Sequence, residues 1–251
     1  MSSAWPLAAR AMREALRTPE ALFPTLFIPL FFLVVNTGQA ADIFPSESTR
    51  FLEGQGYGAF QLPTSLLLAC SFGMSALFLV EEIEGGYFEK LRATPIPRSA
   101  IVFGRLIAEG VKCVLISILI VLLALPFGVE IASGFVGFLI LIALTALWGV
   151  VFSGFMQLIA LKTRSAAATN SGSMIFFPLL FLTPNFVPRD LLTEPMEVAA
   201  TFNPVTYLME ALRSLILVDL NWDDIWPGFA VVIASGVVML WLNVRSIATY
   251  D

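Results

Sequence analysis

The stretch IASGFVGFLILIALTALWGVVFSGFMQLIAL, residues 131–161, contains no charged residue and is almost entirely apolar. A helix needs about 20 apolar residues to cross the hydrocarbon core of a bilayer, and this stretch is longer than that. The whole chain of 251 residues is 58% hydrophobic and only 13% charged, which leaves too few ionisable side chains for the surface of a soluble domain. The stretch therefore predicts a membrane-spanning helix in a helical membrane protein.

Further charge-free stretches of comparable length are found at residues 21–41, 54–80, 165–188 and 225–244. A sixth segment, residues 101–125, is less clear, because Arg105, Glu109 and Lys112 lie in its first half. Counting this segment, we predict an all-α polytopic membrane protein with six transmembrane helices. The whole chain, residues 1–251, then forms a single membrane-spanning domain.

The distribution of Lys and Arg between the loops predicts the orientation. With six spans, one side of the membrane holds Arg10, Arg13, Arg17, Lys90, Arg92, Arg98, Lys162, Arg164 and Arg245. The other side holds only Arg50, Arg189 and Arg213. Because cytoplasmic loops are enriched in Lys and Arg, we expect both termini in the cytoplasm. Omitting the third span would move Lys162 and Arg164 outside, which supports counting it.

Two segments are expected to lie along the membrane or only partly within it. Residues 1–19 predict an interfacial cytoplasmic helix, with an ordinary solvated helix as the alternative. One face of that helix would carry Trp5, Ala9, Met12 and Leu16. Residues 187–220 are too polar to span the membrane and too apolar for a free loop. Since irregular backbone at membrane depth must pack against protein, we predict a partly re-entrant helical hairpin on the outer side.

Cysteine and histidine usage excludes several kinds of site. The chain has no histidine, which excludes His-based catalysis and His metal ligation. Cys70 and Cys113 both lie in apolar stretches, so we expect free buried thiols and no disulfide. No cleavable signal peptide is expected, because no small-residue cleavage site soon follows the first apolar run.

The most charged part of the chain, EEIEGGYFEKLRATPIPRS at residues 81–99, connects the second and third predicted spans. Two glycines after Glu84 are expected to end the span, and the prolines at 95 and 97 to end a short helix. On that helix Tyr87, Phe88 and Leu91 predict an apolar ridge edged by charge, which is typical of a docking surface. The alternative is a solvated turn whose aromatic rings lie on lipid headgroups.

Two longer stretches resemble a known family. GGYFEKLRATPIPRSAIVFGRL, residues 85–106, resembles the first cytoplasmic loop of type-2 ABC exporter permeases. FPLLFLTPNFVPRDLLTEPMEVAATFNPVTYLMEALRSLIL, residues 177–217, resembles their fifth span and outer hairpin. The most specific part, NPVTYLMEALR at 203–213, is closest to the daunorubicin-resistance branch, and the resemblance extends over nearly the whole chain.

The resemblance implies that residues 81–100 form a cytoplasmic coupling loop that docks onto a separate ATPase subunit. The coupling residues would be Glu84, Tyr87, Phe88, Glu89, Lys90, Leu91 and Arg92. The chain has no G-x-x-x-x-G-K-[ST] phosphate loop, so ATP and magnesium are expected on that partner. The chain itself is expected to hold no cofactor, metal or catalytic residue. Expected partners are two copies of the ATPase, a second identical or homologous permease and the lipid bilayer, but no nucleic acid, in the inner (plasma) membrane of a bacterium.

Glu109 and Lys112 form a candidate intramembrane polar site. They lie three residues apart and are expected to pair on one helix face, since a lone charge in a span is unfavourable. The pair is expected to stabilise the helix entrance or face another subunit, to line a substrate entry path, or to take part in proton coupling; the sequence leaves these alternatives open.

A candidate outer gate consists of Asn203, Pro204, Tyr207, Glu210 and Arg213. Asn203 and Pro204 predict the start of a helix, and Glu210 and Arg213 are expected to pair at a spacing of three. The gate is expected either to close the outer end of the pathway or to contact substrate.

Three classes of function are compatible with these features. The resemblance favours ATP-driven export of a hydrophobic or amphipathic drug-like or lipid-like substrate, as in multidrug efflux and antibiotic resistance. Within the same family, a polysaccharide or lipid-linked glycan is the alternative substrate. A channel or an intramembrane enzyme would belong to a different class, but the channel leaves the docking loop unexplained and no catalytic constellation is visible for the enzyme.

Overall fold

A computed structural model describes residues 4–17, 19–72, 75–94 and 97–249, and within these ranges the chain is helical and contains no β-strand. The helices are α1 Ala4–Arg17, α2 Pro19–Ala40, α3 Tyr57–Ser71, α4 Ser75–Glu84, α5 Tyr87–Arg92, α6 Arg98–Ala124, α7 Gly134–Thr163, α8 Ala166–Ser173, α9 Phe176–Phe181, α10 Glu194–Phe202, α11 Pro204–Leu217 and α12 Trp222–Ala248. The predicted all-α class is confirmed.

Five segments found among the described residues are long and apolar enough to cross a membrane: Phe23–Ala40, Tyr57–Glu84, Ser99–Phe127, Gly134–Thr163 and Trp222–Ala248. The second of these consists of α3 and α4 and includes residues 73–74, which lie outside the described residues. The segment with three charges near its start is one of them, because α6 continues without interruption through Arg105, Glu109 and Lys112. Its apolar second half supplies the length that a span requires.

The charge-free stretch at 165–188 does not form one long helix. It is divided into α8 and α9, which together make a shorter apolar segment, Ala166–Phe181. The break follows an Asn-Ser-Gly-Ser run of weak helix formers, in which the Ser173 hydroxyl donates to the Asn170 carbonyl at 2.6 Å. Pro178 then lacks the N–H that a continuous helix would direct back to residue 174. The predicted count of six spans is therefore not confirmed.

Helix α3 forms the centre of the molecule, and each of its residues is buried. Helices α2, α6, α7 and α11 pack around it, while α12 packs against α7, α11 and α6. Small side chains such as Ala59, Ser65 and Cys70 allow these close approaches between helices. Both cysteines, Cys70 and Cys113, are free and buried, as predicted.

The N-terminal helix α1 packs against the start of α6. Ala8 is buried and Leu7 packs against the apolar core, so α1 is attached to the protein as well as being amphipathic. The side chains of Trp5 and Leu16, from the predicted apolar face, lie outside the described residues.

In the predicted hairpin at 187–220, α10 is largely exposed and α11 is largely buried. Along α11, the partly exposed side chains after Pro204 are Tyr207 and Glu210. A helix buried on nearly all sides belongs to the core of the fold, so α11 is a structural element of the bundle.

Candidate functional site

The short helix α5 is set apart from α4 by a tight turn. Helix α4 ends at Glu84, and Gly86 adopts a left-handed conformation with φ of 70°. Residues that carry a side chain rarely adopt this backbone conformation, so glycine is the suitable residue here. The turn lets six residues form a separate helix before Pro95, as the sequence predicted.

Helix α5 directs its apolar side chains towards the protein itself. Phe88 is fully buried and Leu91 is 9% exposed, whereas Tyr87 is 37% exposed. The prediction that Tyr87, Phe88 and Leu91 form one exposed ridge is therefore wrong. So short a helix is not stable alone, and residues three apart share a face, so Phe88 and Leu91 attach α5 to the bundle.

The outward surface of α5 carries an aromatic ring and charges of both signs. It consists of Tyr87, Glu89 and Lys90, with exposed Glu84 just before the turn. The side chain of Arg92 lies outside the described residues. The predicted coupling residues are thus divided between an inward-facing base and an outward-facing surface.

Three charged residues and a tyrosine connect α5 to the surrounding helices, and this group is named the cytoplasmic cluster after the side on which the predicted topology places it. It comprises Arg10, Glu82, Tyr87 and Arg105. The buried Glu82 carboxylate accepts hydrogen bonds from Arg10, at 2.6 Å, and from Arg105. The Arg10 guanidinium also lies 4.1 Å from the centroid of the Tyr87 ring. One carboxylate therefore holds α1, α4 and α6 together directly beneath the exposed aromatic residue of α5.

The intramembrane pair forms as predicted. The Lys112 ammonium lies 2.5 Å from a Glu109 carboxylate oxygen, with the Glu109 side chain only 2% exposed. The Cys113 sulfur lies 3.8 Å from the same carboxylate. Nearby, Gly110 and Gly149 let α6 and α7 approach closely, since a Cβ at Gly149 would lie 2.3 Å from the Cys113 sulfur. A pair enclosed within the bundle in this way is what we expect if Glu109 and Lys112 stabilise the helix.

On the predicted outer side, the buried Arg213 of α11 fixes a non-helical segment. Its guanidinium donates to the carbonyls of Phe60 (3.2 Å), Asn185 (2.9 Å) and Pro184, and lies 3.6 Å from the Phe60 ring centroid. Burial lowers the pKa of Arg213 to about 9, which leaves it charged near pH 7. Five donors in a planar fork allow one arginine to satisfy the Pro184 and Asn185 carbonyls, which lie outside the helices, and to reach the Phe60 carbonyl of α3 as well.

Polar residues of α3 hold the same segment from the other direction. Thr64 donates to the Asn185 amide oxygen at 2.6 Å, and Gln61 donates to the Asn185 carbonyl at 3.0 Å. Tyr57 donates to the Phe186 carbonyl at 2.7 Å. We name Tyr57, Gln61, Thr64, Asn185 and Arg213 the outer anchor. Since buried backbone groups require hydrogen-bond partners, this network explains how the chain leaves its helical path here.

The predicted helix start at Asn203 is confirmed. Its side-chain oxygen accepts from the Val205 N–H at 3.0 Å, and Pro204 occupies the first turn. The Asn203 amide also donates to the Leu179 carbonyl, which ties α11 to α9. Tyr207 donates to the Thr201 carbonyl at 2.9 Å, between α11 and α10.

The predicted pairing of Glu210 with Arg213 is wrong. Glu210 instead accepts two hydrogen bonds from Arg189, at 3.0 and 2.8 Å. Glu210 therefore pairs with Arg189, which lies outside α11. Two parallel hydrogen bonds from one guanidinium to a carboxylate are stronger than an ion pair between residues three apart on one helix. Arg213 turns inward to the backbone carbonyls.

A cavity of about 450 Å³ opens beside the outer anchor. Its lining includes Phe51, Glu53, Phe60, Tyr207, Glu210, Arg213, Asp223 and Asp224. Aromatic rings, carboxylates and the guanidinium groups of Arg189 and Arg213 thus line one concave surface. Within the described residues, no group of three or more His, Cys, Asp or Glu side chains is placed to hold a metal ion.

The family described as ABC-2 type transporter matches residues 3–217. This chain belongs to the ABC-2 type transporter family. It is also similar to a protein named daunorubicin resistance ABC transporter permease protein DrrB1, from Streptomyces coeruleorubidus, with 23% identity over 232 residues. That alignment covers 91% of this chain and 79% of the relative. The predicted resemblance to ABC exporter permeases is confirmed.

The ABC-2 family match includes α1, the cytoplasmic cluster and the outer anchor. Within it, sequence reasoning missed Glu82 as a shared ligand of two arginines, and missed Gln61 and Asn185 altogether. A carboxylate in the last turn of one span, followed by an arginine early in the next, was a visible signal for the cluster. For the outer anchor the available signal was the polar spacing of Tyr57, Gln61 and Thr64 in an apolar helix.

Proposed function

We propose that this ABC-2 permease is the transmembrane subunit of an ATP-driven exporter of hydrophobic or amphipathic, drug-like or lipid-like substrates. In this proposal residues 84–92 dock onto a separate ABC ATPase, present in two copies, which binds ATP and magnesium. A second permease, identical or homologous, completes the pathway from the cytoplasm or inner leaflet.

The observation that carries this proposal is the construction of α5. Its outer surface presents Tyr87, Glu89 and Lys90, while Phe88 and Leu91 attach it to the bundle. A displacement of Tyr87 would act directly on Arg10 of α1 and, through Glu82, on Arg105 of α6. A base packed into the bundle beneath an exposed aromatic residue suits a helix that transmits force from a partner.

The proposed topology keeps six spans, with both termini in the cytoplasm of a bacterial inner membrane. Helices α8 and α9 would together form the fifth crossing, shortened and interrupted, and residues 187–220 would form the re-entrant outer hairpin. The burial of α11 and the outer anchor support the hairpin, because both satisfy backbone groups inside protein. Exposed apolar side chains at Met174, Phe181 and Phe202 would then face lipid or the second permease.

The outer cavity supports an amphipathic substrate, since its lining combines the aromatic rings of Phe51 and Tyr207 with charged side chains of both signs. Aromatic rings also stack on sugars, which keeps a polysaccharide or lipid-linked glycan as the second candidate. Stimulation of ATP hydrolysis by the assembled transporter, with a hydrophobic cation and then a lipid-linked glycan, would distinguish the two substrates.

The docking role is tested by co-purifying the tagged permease with candidate ATPase subunits from the source cell. We expect stoichiometric ATPase with the unaltered chain and at least a tenfold loss with Tyr87→Ala combined with Lys90→Glu. These two side chains lie on the outer surface of α5, so the permease itself is expected to remain folded and inserted.

The matched control combines Phe135→Ala with Arg50→Glu. It also removes one exposed ring and reverses one exposed cation, but on the predicted opposite side of the membrane. Undiminished ATPase binding by the Tyr87/Lys90 variant, or equal loss in the control, would reject docking through α5.

A further inference from the structure

A guanidinium group of the protein itself lies in the outer cavity, the cavity of about 450 Å³ beside the outer anchor. Arg189 donates two hydrogen bonds to the Glu210 carboxylate, at 3.0 and 2.8 Å. The same guanidinium lies 5.2 Å from the centroid of the Tyr207 ring. All three side chains line the cavity. Arg189 thus makes the two contacts by which proteins bind a planar organic cation, a fork onto a carboxylate and an approach to an aromatic ring.

The charges of the cavity lining also favour a cation. Four carboxylates are among the described residues of the lining: Glu53, Glu210, Asp223 and Asp224. Two guanidinium groups, of Arg189 and Arg213, lie in the same lining, and four negative against two positive charges leave a net charge of −2. Arg213 donates its hydrogen bonds to backbone carbonyls. The lining therefore keeps an excess of negative charge even while Arg189 is in place.

The contact between Arg189 and Glu210 is weak enough to be exchanged for another. The Arg189 side chain is 27% exposed and that of Glu210 is 35% exposed, and ion pairs near the surface contribute no more than about 1 kcal/mol. Arg189 begins a short 3₁₀ turn, Arg189–Leu191, in which no residue is buried. The outer anchor holds the chain at Asn185, so Arg189 can leave Glu210 while the anchor stays intact.

We propose that the outer cavity binds an amphipathic ligand with a guanidinium or amidinium group, and that Arg189 occupies the cation site until this ligand displaces it. The cation of the ligand takes the place of Arg189 on Glu210, beside the Tyr207 ring, and its apolar part lies against Phe51 and Leu217. Arg189 is then an autoinhibitory contact, because only the fraction of molecules with Arg189 displaced is competent to bind. As a substrate site the cavity rests on the proposed exporter function, but binding itself requires no ATPase.

The test measures binding by isothermal titration calorimetry, with the purified full-length permease in nonionic detergent and without the ATPase. Four probes share a naphthylmethyl group and carry a guanidinium, an ammonium, a neutral hydroxyl or, in naphthylacetate, a carboxylate. We expect the guanidinium probe to bind about threefold more tightly than the ammonium probe and about tenfold more tightly than the other two. Arg189→Gln is expected to tighten guanidinium binding about fivefold, which corresponds to about 1 kcal/mol of competition removed.

Further variants show whether Arg189 acts through Glu210. Glu210→Gln is expected to weaken guanidinium binding about tenfold, and adding Arg189→Gln to it should then tighten binding by less than about twofold. The matched control, Arg50→Gln, removes an exposed cation from the same predicted side but outside the cavity lining, and should have an equally small effect. Thermal unfolding of each variant verifies that it is folded.

The proposal is overturned if Arg189→Gln binds the guanidinium probe no more tightly than the unaltered chain, or if the tightening is equal without Glu210 or in the Arg50 control. Equal affinity for the ammonium probe or for naphthylacetate would also overturn it. The exporter proposal is judged separately, by ATP hydrolysis of the assembled transporter. Retained guanidinium binding without stimulated hydrolysis would reject export of this ligand and leave the binding site standing.

Discussion

Two buried arginines at opposite ends of the molecule have different kinds of hydrogen-bond partner. In the cytoplasmic cluster, Arg105 meets a carboxylate, Glu82, which it shares with the half-exposed Arg10. In the outer anchor, Arg213 meets backbone carbonyls and the ring of Phe60. A shared carboxylate lets helices exchange partners as they shift, whereas the backbone carbonyls of α3 and of residues 184–185 fix one arrangement. We infer that the contacts of the cytoplasmic cluster allow its helices to move, whereas the contacts of the outer anchor fix the structure at the other end.

The largest effect on the free energy of unfolding should come from replacing Arg213 of the outer anchor. We expect Arg213→Met to lower the free energy of unfolding by about 3–4 kcal/mol, because carbonyls in the segment at 184–185 lose a donor at about 1–3 kcal/mol each. Arg213→Lys should recover less than half of this loss, since an ammonium cannot reproduce the planar fork. Equilibrium unfolding in mixed detergent micelles measures both. Full recovery by lysine would show that charge alone holds the outer end.

The second prediction concerns the shared carboxylate. Glu82→Gln should lower the free energy of unfolding by about 2–3 kcal/mol, because the buried Arg105 loses its counter-ion, although the exposure of Arg10 moderates the loss. A double-mutant cycle between Glu82→Gln and Arg10→Gln should give a coupling free energy of about 0.5–2 kcal/mol. Additive losses would mean that α1 is not held through Glu82, and the proposed adjustable connection would fail.

The third prediction separates the base of α5 from its surface. Phe88→Leu should lower the free energy of unfolding by about 1 kcal/mol, because it leaves space in a fully buried position. Tyr87→Phe keeps an aromatic ring beside Arg10 and should change the free energy of unfolding by less than about 0.5 kcal/mol. Thermal unfolding of the two purified variants compares them. If Tyr87→Phe were the more destabilising, the inward and outward faces of α5 would be reversed.

Features that depend on length and local spacing could be predicted from the sequence. Counting charge-free residues identified most of the spans, and loop charges favoured the third despite the charges in its first half. Local rules also predicted the helix start at Asn203 and the pair of Glu109 with Lys112, because both partners lie within one helical turn.

Features that depend on contacts between distant segments could not be predicted in this way. An amphipathic helix such as α5 has an apolar face, but its sequence does not say whether that face meets its own protein or a partner. Glu210 had a local candidate in Arg213, yet Arg189, from outside its helix, approaches in a better geometry. Counting charges at 165–188 also overlooked a helix break, although the Asn-Ser-Gly-Ser run and Pro178 indicated weak helix formation.

A small effect is expected where the outer end is exposed. Arg189→Gln and Glu210→Gln should each lower the free energy of unfolding by no more than about 1 kcal/mol, because both side chains are partly exposed and their attraction is screened by water. The same unfolding measurement, made at low and high salt, should show that the small loss shrinks as ionic strength rises. A loss of several kcal/mol for Glu210→Gln, with no effect of Arg189→Gln, would restore Arg213 as the partner of Glu210. The outer end would then rest on an ion pair like the cytoplasmic one, and the contrast between a holding end and a moving end would disappear.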